Sequence, residues 1–63
     1  MSGGIIIQRA NVLLIAITDP CLYNSLSDDL KSRVDSVDAK DPASRTEADV
    51  KLLSQAIAHA VGC

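Results

Sequence analysis

The side chains that could do chemistry in this sequence are two cysteines, one histidine and several aspartates. Cys21 and Cys63 are candidates for a disulfide, because a cysteine at the last position of the sequence can reach a partner thiol without geometric conflict. The bond could close within one chain or join neighbouring copies. The alternative is a pair of reduced thiols, as is usual in cytosolic proteins.

The other reactive groups do not form a predicted catalytic, cofactor-binding or metal site. His59 lies four residues before Cys63, but a thiol nucleophile needs a rigidly oriented base, and a chain terminus is a poorly ordered place for one. Asp28 and Asp29 are adjacent, and neighbouring residues on a helix point in different directions. So short a chain also lacks a concave pocket with convergent polar groups. We therefore predict no cofactor, no metal and no enzyme activity.

The length and charge of the chain argue against some classes of binding partner. The chain has 63 residues, a net charge of −2 and one aromatic residue, Tyr23. We predict one small domain over 1–63, and domains of this size are stable by a thin margin and often need a disulfide, a metal or a partner. The six basic residues are scattered rather than clustered, which argues against nucleic acid and against a basic membrane-surface helix.

The N-terminal element, residues 5–18, is apolar around most of its circumference. It is too short for a membrane span, and it lacks the basic start and the cleavage site of a signal peptide. On a helix, one face is predicted to carry Ile6, Ala10, Leu13, Leu14 and Ile17. A second group falls outside that face (Ile5, Val12, Ile15 and Ala16), so the helix should be covered on two sides. The alternative is a strand added to the sheet of a partner.

The rest of the chain predicts a helical hairpin. Apolar residues recur at helical spacing from Leu26 to Val37 and again from Val50 to Val61. We predict helices over about 25–39 and about 46–61, joined by a turn over 40–44 that contains Pro42. Ser25 or Ser27 could cap the first helix, and Ser44 or Thr46 the second. The predicted fold class is therefore mainly α, with an apolar N-terminal helix followed by a helical hairpin.

These features together predict a binding role. We expect a non-enzymatic structural or accessory subunit of a larger protein assembly, for example a virion head or tail component. The alternative is a small regulatory binding module, such as an antitoxin or adaptor. The predicted partners are other protein chains, either copies or a larger complex, with no nucleic acid and no membrane. Synthesis is expected in the cytoplasm, with a virion as one destination. The predicted interface consists of seven apolar residues: Ile6, Ala10, Leu13, Leu14, Ile17, Leu53 and Ile57.

Overall fold

The computed structural model describes residues 2–61 and contains, over that range, four α-helices and no strand. The helices are α1 (Ser2–Ile17), α2 (Pro20–Asn24), α3 (Asp28–Ala39) and α4 (Glu47–His59), and a 3-10 turn, Pro42–Ser44, lies between α3 and α4. The predicted mainly α fold with a helical hairpin is confirmed. The N-terminal element is a helix, and the strand alternative is wrong. None of the described helices has the length and apolar character needed to cross a bilayer.

A proline and a short polar cap set where α2 and α3 begin. Pro20 stands at the start of α2, with Asp19 before it. Proline suits the first position of a helix because the N–H it lacks would be unpaired there anyway. Ser27 caps α3, and its hydroxyl accepts a hydrogen bond from the Leu30 amide at 3.3 Å. The helix predicted over about 25–39 is α3, which begins three residues later than predicted, and the short α2 before it was not predicted.

The second connection carries a capping box at the start of α4. The Thr46 hydroxyl accepts from the Asp49 amide, and the Asp49 carboxylate accepts from the Thr46 amide at 2.9 Å. Of the two predicted caps, Thr46 is therefore the one used. Helix α4 ends at His59, two residues before the predicted end, and Ala60 is its C-cap.

One hydrophobic core joins α1 to the hairpin. Helix α1 lies chiefly against α4, and α3 also packs against α4. The core side chains come from each of the three longer helices and from the loop before α3. They are Ala10, Leu14, Ile17, Leu26, Val34, Val37, Val50, Leu53 and Ala56.

Candidate interaction surface

The predicted interface residues of α1 lie on the face that packs on the hairpin. Ala10, Leu14 and Ile17 are buried, as is Leu53 of α4. The remaining three predicted residues (Ile6, Leu13 and Ile57) are half-buried against the same core. The spacing grouped these residues on a common surface, but in this fold that surface is inside the molecule. The reason is that the hairpin supplies its own apolar surface to cover it.

The opposite face of α1 carries the apolar surface that remains outside. Ile5, Val12 and Ile15 are 57%, 64% and 76% exposed, and Gln8 between them is also exposed. We refer to Ile5, Gln8, Val12 and Ile15 as the α1 seam. A pattern in the sequence did mark it, because three of the four were the apolar residues left off the predicted inner face.

An open groove of about 430 Å³ runs beside the α1 seam, where α1 meets α4. Its lining combines Gln8, Arg9, Val12 and Leu13 of α1 with Ser54 of α4. Arg9 is half-exposed and forms an ion pair of 3.4 Å with Glu47. Among the described residues that line the groove there is no carboxylate, thiol or imidazole, and hence no acid–base pair. The groove offers space that side chains of another protein can enter.

A second groove, of about 350 Å³, lies where α1 meets the end of α3, and Arg45 is part of its wall. Arg45 is buried. Its guanidinium donates to the carbonyls of Val37, Asp38 and Lys40 and, at 2.9 Å, to the side-chain oxygen of Asn11. These carbonyls end α3, where the helix dipole favours a positive charge. Arg45 therefore holds three segments together and is already occupied, and no pattern in the sequence marked it for burial.

Tyr23 connects α2 to α3 through a polar contact. Its hydroxyl donates to the Asp35 carboxylate at 2.8 Å, and the Lys31 ammonium lies 5.7 Å from the ring centre. The hydrogen bond to Asp35 raises the pKa of Tyr23 above 10.0, and burial and the negative charge of Asp35 act in the same direction. The phenol therefore stays protonated and serves as a structural link.

The remaining candidate groups lie apart from the groove. His59 is exposed at the end of α4. Cys21 is disulfide-bonded, but Cys63 lies outside the described residues, so their predicted pairing stays a prediction. Within residues 2–61 no group of three or more histidine, cysteine, aspartate or glutamate side chains is placed to hold a metal ion.

Comparison of the chain with protein-family models, with curated proteins and with solved structures finds no match. Function must therefore be inferred from the chain's own residues. The feature with the clearest physical consequence is the α1 seam, because its apolar side chains face water while the other face of the same helix fills the core.

Proposed function

We propose that this chain is a non-enzymatic structural or accessory subunit of a larger protein assembly, held there through the α1 seam. The observation that supports this is the exposure of Ile5, Val12 and Ile15 on a single helix face. Apolar residues scattered singly on a surface are normal, whereas large apolar residues grouped on one exposed helix face are typical of an interaction site. A virion head or tail is one example of such an assembly.

The free energy gained by burial and the cost of association together determine how much apolar surface a partner must cover. Fully burying an exposed Val or Ile contributes about 1.5–3 kcal/mol, so covering what remains exposed of these three contributes roughly 1–2 kcal/mol each. Association costs about 4–15 kcal/mol in lost translational and rotational freedom. The partner must therefore bring apolar side chains of its own and also fill the groove beside the seam. This is expected of a neighbouring subunit that packs along the whole helix.

The test uses extracts of the cells that naturally make the protein. It compares, by sedimentation, the size of the particle that contains the wild-type chain with the size of the particle that contains a variant. We expect the wild-type chain to sediment in an assembly far larger than its own 6.6 kDa. Ile15→Asp should sediment as a small species, because it places a charge in the seam. Ile15 is the right position since it is 76% exposed, whereas Ile6 and Leu13 also support the core.

Ser36→Asp is the matched control. It adds the same charge at an exposed position of α3, and we expect it to stay in the large assembly. The helical circular dichroism of both variants should equal that of the wild type. A free wild-type chain in the extract would contradict the proposal, as would an Ile15→Asp variant that remains assembled. A discrete one-to-one complex would instead favour the small regulatory binding module.

A further inference from the structure

The chain returns to α2 after α4 ends at His59. Ala60, the C-cap of α4, has an extended backbone and packs against the core. The next residue, Val61, donates its backbone N–H to the Ser25 hydroxyl at 3.1 Å. That hydroxyl in turn donates to the Leu22 carbonyl of α2 at 2.6 Å. The segment after α4 is therefore held against the end of α2 by a contact between residues 36 positions apart.

Cys21 lies on the same short helix and is disulfide-bonded. It precedes Ser25 by about one helical turn, or roughly 6 Å at a rise of 1.5 Å per residue. Cys63 stands just after Val61 and Gly62, and a chain of that length spans at most about 7 Å. A disulfide needs Cα atoms that are about 4–7 Å apart. The contact between Val61 and Ser25 therefore leaves Cys63 enough chain to reach Cys21.

We propose that Cys21 and Cys63 of the same chain form a disulfide, and that this bond is a redox-sensitive clasp that holds the end of α4 against α2. The sequence has no third cysteine, so within one chain Cys21 has one possible partner. A partner tethered beside it also has a higher effective concentration than the cysteine of another copy. The inference goes beyond the proposed function and does not depend on the α1 seam.

Formation of the clasp is a two-electron oxidation by thiol–disulfide exchange. One cysteine thiolate attacks a small-molecule disulfide, which gives a mixed disulfide and releases half of the oxidant as a thiol. The second cysteine thiolate attacks the mixed disulfide, closes the S–S bond within the chain and releases the other half as a thiol. The two protons lost by the cysteines are those that the released thiols take up. A dithiol reductant reverses both steps.

The reduced chain should lose the contact between the end of α4 and α2. The hydrogen bond from Val61 to Ser25 is exposed, and a single hydrogen bond in water contributes little net stability. The Val61 side chain is 83% exposed, so packing does not hold this residue either. Because oxidising compartments preserve disulfides and reducing ones break them, the end of α4 responds to the redox conditions around the protein.

The first measurement is the intact mass of the purified full-length chain after treatment with oxidised glutathione, and again after reduction with dithiothreitol. The oxidised chain should migrate as a single chain on a denaturing, non-reducing gel. On reduction it should gain the mass of two hydrogen atoms, because one S–S bond becomes two thiols. Trypsin digestion of the denatured, oxidised chain should leave the peptides that carry Cys21 and Cys63 joined.

The second measurement is hydrogen exchange of single backbone amides, followed by NMR. Exchange of the Val61 amide should be slow in the oxidised chain and much faster after reduction, because local opening is no longer restricted. The Lys40 amide is the matched control, since it also caps a helix C-terminus, by donating to the Val37 carbonyl. It should exchange at the same rate in both forms. In Cys21→Ser, the Val61 amide should exchange as in the reduced wild type and should not respond to reductant.

Four results would overturn the inference. Two thiols that stay reduced in the oxidant, or a covalent dimer in place of the single chain, would exclude the bond within one chain. A bond whose reduction leaves exchange of the Val61 amide unchanged would exclude the clasp, as would equal changes at Val61 and Lys40. None of these results bears on the α1 seam, which is tested by the particle size of Ile15→Asp.

Discussion

Arg45 shows how a single side chain can determine the geometry of the connection between two helices. A buried guanidinium is costly unless its N–H groups are paired. Here they donate to the last carbonyls of α3 and to Asn11 of α1. The guanidinium thereby satisfies acceptors that the end of a helix leaves without intrahelical partners. Its charge lies at the carbonyl end of α3, where the helix dipole favours it, and it forms no ion pair with a carboxylate among residues 2–61. A methionine of similar length could therefore replace the packing but none of the hydrogen bonds.

We expect Arg45→Met to lower the free energy of unfolding by about 2–3 kcal/mol, because three carbonyls and the Asn11 side chain lose hydrogen bonds to a charged donor at once. The measurement is urea unfolding followed by circular dichroism. Arg33→Met is the matched control: Arg33 is exposed and makes a surface ion pair with Asp29, so its loss should cost less than about 0.5 kcal/mol. Equal effects of the two substitutions would show that the hydrogen bonds of Arg45 do not stabilise the fold.

At the scale of elements, the start of α4 is stabilised by two interactions that meet on one carboxylate. Asp49 completes the capping box with Thr46 and also accepts from the Lys40 ammonium at 2.7 Å. The hydrogen bond from Lys40 lowers the pKa of Asp49 below its ordinary value of 3.8, and the bonds from Thr46 add to this, while partial burial opposes it. The ionised carboxylate thus links the end of α3 to the first turn of α4.

We expect Asp49→Ala to cost about 1 kcal/mol at neutral pH, as the loss of a helix cap usually does. Because the folded pKa lies below the unfolded one, the contribution of the charge is complete above the unfolded value and is lost as the pH falls through the folded pKa. The difference in the free energy of unfolding between Asp49→Ala and the wild type should therefore become smaller at acidic pH. Urea unfolding at neutral and at acidic pH measures it.

Asp41→Ala is the control for this effect. Asp41 precedes the 3-10 turn, and its side chain makes no cap hydrogen bond. We expect a change within about 0.5 kcal/mol at either pH. A constant cost for Asp49→Ala at every pH would contradict the role assigned to its charge.

At the scale of the whole molecule, α1 divides its apolar residues between two environments. One face closes a core of small and branched aliphatic side chains, and the other remains in water. A chain of 63 residues buries only about 60% of the surface that it exposes when unfolded, so it gains from any partner that covers the rest. If the disulfide of Cys21 closes within one chain, as predicted with Cys63, it stabilises the fold in a different way, by restricting the unfolded chain.

The contributions of association and of the disulfide to thermal stability can be measured separately in one experiment on the purified wild-type chain. We expect Tm to rise with protein concentration, because association binds the folded form alone. A reductant should lower Tm at every concentration, by removing the disulfide, while the mass from light scattering stays the same, since the α1 seam is not covalent. A mass that falls on reduction would mean that a disulfide between chains holds the assembly.

The local features of the fold were predictable because each depends on neighbours in the chain. The stripe from Leu26 to Val37 and the stripe along α4 specify helices through side chains three and four residues apart. Ser27 and Thr46 cap because a short hydroxyl reaches an amide within the same turn. The end of α1 before Pro20 was predictable as well, because proline disfavours helix at the residue before it. The short α2 that begins at Pro20 was not predicted.

The sequence by itself determined that residues 5–18 are apolar around most of the element and that a helical hairpin follows. It left helix and strand open for the N-terminal element, which the structure shows to be a helix. Only the tertiary structure decided which face of α1 is inside, because both faces are apolar and the choice depends on the shape that α3 and α4 present to it. The burial of Arg45 was also decided by the tertiary structure, which brings Asn11 of α1 to the guanidinium beside the carbonyls at the end of α3. Patterns in a sequence predict helices and caps, because these depend on residues within a few positions of one another. The surface that stays exposed depends on how the helices pack together, and this depends on residues far apart in the sequence.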